Sequence, residues 1–237
     1  PGVIIGHNDR IAWGITALQF DNMDLYFEKL DPRTGRYEYK GQQAQAQRAV
    51  ERIAVKGEKP AEAALWITVH GPVIAEEDGA PLALAWSAAH ADGAEFPILD
   101  LNRARNWQEF RGALRRLPGP NINVLYADVD GNAGWQVAGR LPVREGFDGS
   151  EPADGASGNF DWKGFVPFDQ LPSYFNPKNG ILVSANDNPF PANTPYTVSG
   201  FFSSPDRALQ IAARLGRKPK LAAADMLAVQ GDVYSAL

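Results

Sequence analysis

Residues able to do chemistry are sparse and scattered in this chain. Histidine, the side chain best suited to proton transfer near neutral pH, occurs at His7, His70 and His90. None stands in a metal-ligand spacing or beside a nucleophile motif, and a histidine next to a turn, as His7 and His70 are, reads as a satisfied structural residue. The G-x-S-x-G, H-E-x-x-H, P-loop and G-x-G-x-x-G patterns are all missing from the sequence. With no Cys, disulfide scaffolds, thiolate zinc sites and Cys nucleophiles are excluded. Asp21 and Asp24 bracket Asn22-Met23. They either offer oxygens to a hard cation or form a polar turn, and spacing alone favours the turn. Asp128, Asp130 and Asn132 imitate a calcium loop but lack its closing Glu. A hairpin turn at Asp130-Gly131-Asn132, with Gly supplying positive φ, is the better reading.

Elements that would position these groups follow from periodicity. Ile11 to Thr16 and Leu25 to Leu30 read as strands, the second with Tyr26 and Glu28 facing outward. Ala64 to Ile74 is a further apolar stretch broken at Gly71-Pro72, and Val124–Asp128 with Trp135–Ala138 forms the hairpin. Ala94 to Leu117 reads as one helix, with Trp107, Phe110, Leu114 and Leu117 on its apolar face. The span 141–179, rich in Gly, Pro and aromatics, reads as an ordered loop, because Phe160, Trp162, Phe165 and Phe168 need burial. A strand is expected at Ile181–Ala185. Ser203-Ser204-Pro205-Asp206 should open a helix whose apolar face is Ala208, Ile211, Ala212 and Leu215, ended by Gly216. Arg207 borders that face, where a bare charge needs a partner. The expected fold class is α+β with antiparallel hairpins, over a single unit spanning residues 1–237.

Composition narrows the function classes. The chain has 237 residues, of which 44% are hydrophobic and 22% charged, as in an ordinary globular protein. Its longest apolar runs, such as Ile181–Ala185, are far too short for a membrane span. A net charge of −5, with basic residues only in short runs such as Arg217-Lys218-Pro219-Lys220, argues against a nucleic-acid footprint. Pro1 lies already inside an apolar run (Val3, Ile4, Ile5), so the natural start is expected upstream.

A family resemblance emerges from ordered segments. Gly6-His7-Asn8-Asp9-Arg10-Ile11-Ala12-Trp13-Gly14-Ile15-Thr16-Ala17 resembles the G-H-N-x-x-I-A-W-G-x-T stretch of penicillin acylases. Asp24-Leu25-Tyr26-Phe27-Glu28-Lys29-Leu30 is similar to their D-L-Y-x-E-K-L. His70-Gly71-Pro72-Val73-Ile74, Asn106-Trp107-Gln108-Glu109-Phe110, Tyr126–Asn132 and Asp161-Trp162-Lys163-Gly164 follow in order. Asn176-Pro177, Ser184-Ala185-Asn186 and Asp206-Arg207 complete the series. Each is weak alone; together, in register over essentially the whole chain, they are specific.

The resemblance implies an N-terminal-nucleophile hydrolase, with the αββα layered architecture of that class, made by autocleavage into a small and a large chain. The large chain's first residue, a Ser, attacks an amide carbonyl using its own α-amino group as base. Such an amine titrates at about 7.7–8.0, so it is partly neutral at working pH. In the family that Ser precedes the G-H-N motif by dozens of residues, so the nucleophile and the small chain are expected outside this stretch, and the stretch alone is expected to be inactive. By position, the Ala17 backbone N–H and the Asn186 amide match the oxyanion donors. Arg207 matches an Arg near that Asn. Ile5, Ile15, Ile98 and Ile122 match the apolar acyl pocket, although core packing explains them equally well. The calcium site maps to Asp21, the Met23 carbonyl, Asp24 and the Gly149 carbonyl. A later ligand carboxylate falls near Tyr196-Thr197, where there is no acid, so calcium should bind weakly or not at all. Asp187 stands where many relatives carry a second Asn.

The implied substrate is a small-molecule acyl amide (a β-lactam, an acyl-homoserine lactone or another amide), in a periplasmic or secreted setting, with no nucleic acid, membrane or organic cofactor involved. A non-catalytic binding or scaffold domain derived from the same fold is the alternative. The register of Ala17, Asn186 and Arg207 favours the enzyme. A sugar-binding module, suggested by the six Trp, is weaker, since most of them fall inside family motifs.

Overall fold

The computed structural model describes residues 2–89 and 97–235. From the N-terminus the strands are β1 (Gly6–His7), β2 (Ile11–Ala17), β3 (Met23–Phe27), β4 (Arg36–Tyr39), β5 (Gln42–Gln45), β6 (Gln47–Ile53), β7 (Ala61–Ile67), β8 (Val73–Glu77) and β9 (Ala80–Trp86). Helices α1 (Ile98–Arg103) and α2 (Trp107–Leu114) come next, then β10 (Ile122–Asp128), β11 (Ala133–Ala138), β12 (Ala153–Asp154) and β13 (Ser173–Phe175). Helices α3 (Asp206–Leu215) and α4 (Ala223–Gln230) close the chain.

One sheet has the order β1-β2-β10-β11-β13 and a second the order β12-β3-β9-β8, while β4–β5 and β6–β7 are separate hairpins. All the strand pairs are antiparallel except β12–β3. The chain is thus the mixed α+β, largely antiparallel protein expected.

Strand period two gives the first sheet two unlike faces. Ile11, Trp13, Ile122, Val124 and Tyr126 are buried on one face against Leu101, Trp107, Phe110 and Leu114 of α1 and α2. The aromatic stripe on α2 is therefore core: Trp107 stacks on Phe110 at 5.4 Å, and Phe110 is fully buried. The other face carries Thr16, Asn123 and Trp135. A second core of Leu18, Phe20, Val137, Leu141, Val166 and Phe190 lies beyond the end of β2. No helix among the described residues is long and apolar enough to cross a membrane.

Four local expectations need correction. The helix read over Ala94–Leu117 is two helices. Asn106 is extended and accepts a hydrogen bond from the Glu109 N–H (2.9 Å), which starts a second helix at Trp107. Residues 94–96, like His90, lie outside the described residues. Tyr26 and Glu28 point inward, at 1% and 3% exposure, because this strand's partners bury the polar-looking face. Ile181–Ala185 has no ladder; its backbone runs irregularly and is tied down by single bonds described below. The span 141–179 is not all loop, since it contributes β12, β13 and a 3₁₀ turn at Phe168–Gln170.

The hairpin reading of Asp128–Asn132 holds. Asp128 accepts bonds from the N–H groups of Asp130 (3.0 Å) and Asn132 (2.9 Å), which uses its oxygens within the turn. Since Phe110 sits at 0% exposure between the helices and the sheet, Phe110→Ala should cost about 3–5 kcal/mol of stability. Urea denaturation measures this, and a loss below about 1 kcal/mol would contradict the core assignment.

Candidate active site

The three residues assigned by position to charge stabilisation converge at the end of β2. Leu18 N–H donates to the Asn121 carbonyl at 3.0 Å, so Leu18 and Asn121 form a hydrogen-bonded pair. Ladder alternation then turns both the N–H and C=O of Ala17 away from β10, toward the outer edge of β2. That edge is covered by β1 only at Ala12 and Trp13, and by the Gly200 segment from Gln19 onward. Ala17 lies in the gap between them.

Asn186 reaches into this gap. Its Nδ2 donates to the Ala17 carbonyl at 2.7 Å, and its backbone holds φ +67°, a left-handed conformation that Asn tolerates better than most residues. Arg207 Nη2 donates to Asn186 Oδ1 at 2.9 Å, to the Ala185 carbonyl at 2.6 Å and to Ser203 Oγ at 3.4 Å. Arg207 is itself exposed, so its bond to Asn186 is not forced by burial of a bare charge at the edge of the helix face. Since an amide oxygen only accepts, Arg207 fixes which end of the Asn186 side chain faces Ala17. One Nδ2 hydrogen is used on Ala17, and the other remains for a further acceptor. Asp187 Oδ1 accepts from the Ala185 N–H at 3.2 Å and so helps to shape the turn.

The G-H-N segment acts structurally. Asn8 Oδ1 accepts from the N–H groups of Arg10 and Ile11 at 2.8 Å each, while its Nδ2 donates to the carbonyls of Asn102 and Ala104. This locks the β1–β2 turn to the end of α1. Of the four isoleucines, Ile15, Ile98 and Ile122 pack with Leu101, Leu114 and Leu117 in the core between the first sheet and the helices, leaving a crevice of only about 10 Å³. Ile5 is not part of it and is 60% exposed.

Asp21, Asp24 and Gly149 do come together, around an internal cation. The buried Arg144 guanidinium donates from Nε to Asp24 Oδ2 (2.8 Å) and from Nη2 to Asp24 Oδ1 (3.0 Å) and the Asp21 carbonyl (3.1 Å). Trp162 Nε1 also donates to Asp24 Oδ2. A Cβ on Gly149 would lie 2.3 Å from Asp24 Oδ1, so only Gly packs there. Burial, with the carboxylates of Asp24 and Asp148 nearby, raises the Asp21 pKa above the usual range. Among the described residues no group of three or more His, Cys, Asp or Glu is arranged to hold a metal. Both Asp24 oxygens, which the expected calcium site would use, are thus engaged by the Arg144 guanidinium. Tyr196, where the missing carboxylate would fall, donates its hydroxyl to the Gln170 carbonyl at 2.7 Å.

Sequence reasoning treated His70 as a satisfied structural residue, and it is satisfied in an unforeseen way. Its Nδ1 lies 2.8 Å from Glu28 Oε1 and its Nε2 3.1 Å from Asp161 Oδ1, with the ring stacked on Tyr26 at 4.0 Å. Both ring nitrogens thus face carboxylates, which only an imidazolium can satisfy. Burial by itself would lower the pKa; the bonds to Glu28 and Asp161 outweigh it, and the net direction is upward. Nothing in the spacing of residues 28, 70 and 161 announces this cluster. Arg144 and Thr16 were likewise unmarked, although Thr16 directly precedes Ala17 in a strand whose alternation is clear.

With the geometry in view, comparison with known proteins is direct. The Penicillin amidase family model matches residues 1–237. Penicillin G acylase from Escherichia coli is 34% identical over 234 residues, covering 94% of this chain and 27% of that protein. An acyl-homoserine lactone acylase QuiP from Pseudomonas fluorescens is 30% identical, over 98% of this chain and 29% of the relative. The solved structure of a thermostable penicillin G acylase from Alcaligenes faecalis superposes with a TM-score of 0.84 at 32% identity, covering 97% of this chain and 42% of that one. The chain belongs to the penicillin amidase family and has the N-terminal-nucleophile hydrolase fold of that structure. It spans under a third of the length of these two curated relatives.

A folded-state His70 pKa raised above its unfolded value has a defined linkage. The stabilisation is fully present below the unfolded pKa of about 6.5 and is lost as pH rises through the folded pKa. His70→Gln should therefore destabilise the protein at pH 6 and less so at pH 9. Thermal melts of both proteins across that range check the sign, and an equal cost at both pH values would contradict the imidazolium assignment.

Proposed function

We propose that this chain forms part of an amide hydrolase that removes an acyl group from a small-molecule amide, and that it supplies the stabilisation of negative charge. The supporting observation is the Arg207–Asn186–Ala17 arrangement, in which a fixed amide donor and an outward backbone N–H share one gap at the edge of β2. A carbonyl oxygen entering that gap meets Ala17 N–H and the spare hydrogen on Asn186 Nδ2. Both donors gain most when the oxygen becomes an oxyanion, so they lower the barrier more than they tighten binding.

In this reading the nucleophile is the hydroxyl of an N-terminal Ser carried by a segment preceding this stretch. Its α-amine takes the hydroxyl proton as the Ser oxygen bonds to the carbonyl carbon, then returns a proton to the departing amine. Water completes the cycle by hydrolysing the acyl-enzyme. The acyl-binding surface is placed near Ile5, Ile15, Ile98 and Ile122 on family position alone, and the small chain is read as the partner that completes it. The relatives' names point to two amide classes, penicillins and acyl-homoserine lactones, and a periplasmic or secreted setting belongs to the same reading.

Asn186→Ala in the full-length, processed protein should leave KM little changed and lower kcat by about 10²–10³, the usual cost of one oxyanion donor. Arg207→Ala should behave alike, and the double variant should cost less than the two losses added. Initial rates on phenylacetyl and fatty-acyl anilides, with thermal melting to exclude misfolding, provide the test. A folded Asn186→Ala enzyme at the wild-type rate would overturn the reading. Turnover of either anilide by residues 1–237 alone would overturn the placement of the nucleophile.

We also infer that Arg144, not calcium, holds the Asp21–Asp24 loop. Calorimetry on the chain should detect no sub-micromolar calcium binding, and such binding would contradict the inference.

A further inference from the structure

We propose that Thr16, Asn123, Ser184 and Trp135 are positioning residues that set the spacing between the Ala17 and Asn186 donors. The inference rests on the reading of those two groups as oxyanion donors. Ala17 sits on a strand of the sheet, whereas Asn186 sits on an irregular segment with no ladder of its own. Something must hold that segment at a fixed height over the sheet, because an oxyanion donor displaced by a fraction of an ångström loses much of its effect.

A line of side chains does so from behind the site. Thr16 Oγ1 and Ser184 Oγ are 2.6 Å apart, so the residue before Ala17 is bonded to the residue two before Asn186. Asn123 lies directly opposite Thr16 in the β2–β10 ladder and donates from Nδ2 to Thr16 Oγ1 at 3.3 Å. Asn123 Oδ1 accepts from Trp135 Nε1 at 3.1 Å. An indole N–H only donates, so Trp135 fixes the orientation of the Asn123 amide. Asn123 is 1% exposed, and its polar ends are both used within this chain of bonds. Trp135 is in turn stacked on Tyr174 of β13 at 5.5 Å, which ties the chain to the far side of the sheet. Thus β13, β11, β10 and β2 are linked in sequence to the Asn186 segment, and Arg207 holds that segment from its other side.

The bond lengths suit a supporting role, since none of these four side chains bonds to Ala17 or Asn186 directly. Thr16→Val replaces the hydroxyl with a methyl, so both Ser184 Oγ and Asn123 Nδ2 lose this partner, and keeps a β-branched residue suited to the strand. In the full-length, processed protein it should lower kcat about tenfold with KM unchanged, the scale of one hydrogen bond. Thr16→Ser, which retains the hydroxyl, should stay within about twofold of wild type. Combined with Asn186→Ala, Thr16→Val should add little, because the donor it positions is already gone.

A second readout needs no turnover. In nitrogen-15 NMR spectra of the same protein, solvent exchange of the Asn186 side-chain amide should accelerate about tenfold in Thr16→Val and stay unchanged in Thr16→Ser. An unchanged exchange rate in Thr16→Val would overturn the positioning role, whatever the kinetics. Wild-type turnover in Asn186→Ala would instead overturn the oxyanion reading, so the two failures are distinguishable.

Discussion

The pairing of β2 with β10 is the constraint on which the rest depends. Seven residues of each strand are in register, from Ile11 opposite Asp128 to Ala17 opposite Ile122. A one-residue slip would exchange the faces of β2, moving Trp13 and Ile11 out of the core under α1 and α2. It would also turn the Ala17 N–H inward to β10 and move Thr16 away from Asn123. Core packing and site geometry are thus the same fact seen from two faces of one sheet. The hydrophobic face specifies the register strongly, and the polar face inherits its precision.

Charge plays a different part, away from the β2 edge. Asp24, Glu28 and Asp161 are drawn inward by the reversed face of β3 and the folding of the 141–172 span, and each meets a cation: Arg144 for Asp24, His70 for Glu28, His70 and Lys40 for Asp161. Buried charges are costly unless paired, and the span carrying Arg144 and Asp161 docks where both meet their partners. The docked span presents Leu141, Val166 and Leu171 to Leu18 and Phe20, directly beyond Ala17. In this arrangement the end of β2 is covered on one side by these residues, with Ala17 at its outer edge.

Much of this was legible in the residues, and the exceptions have physical causes. Strands such as the one expected at Ile11–Thr16, and the stripe Trp107, Phe110, Leu114, declared themselves, because burial acts on short-range periodicity. The Asp130-Gly131-Asn132 turn did too. The break at Asn106 was readable as an N-cap followed by Glu109, but the apolar stripe that follows it masked the boundary. Tyr26 and Glu28 misled because they are covered by distant partners, His70, Phe147 and Phe160 for Tyr26 and His70 and Thr68 for Glu28, that local pattern cannot see. Asn186 and Arg207 had no local signal strong enough to be chosen; the ordered segments shared with the penicillin amidase family singled them out, and the geometry brings them within 2.9 Å of one another. Thr16 and Asn123 escaped notice because a hydroxyl or an amide within a strand looks like ordinary surface until its cross-strand neighbour is known.

In the proposed function, the gap between β1 and the Gly200 segment receives a negatively charged oxygen. The most direct test is a crystal structure of the full-length, processed protein after reaction with a serine-directed sulfonyl fluoride, whose adduct places an oxygen where the oxyanion would form. The account predicts that oxygen about 2.7–3.1 Å from both Ala17 N and Asn186 Nδ2, with Arg207 still bonded to Asn186 Oδ1. An adduct oxygen held by other donors, or an Asn186 side chain turned so that Oδ1 faces Ala17, would contradict it.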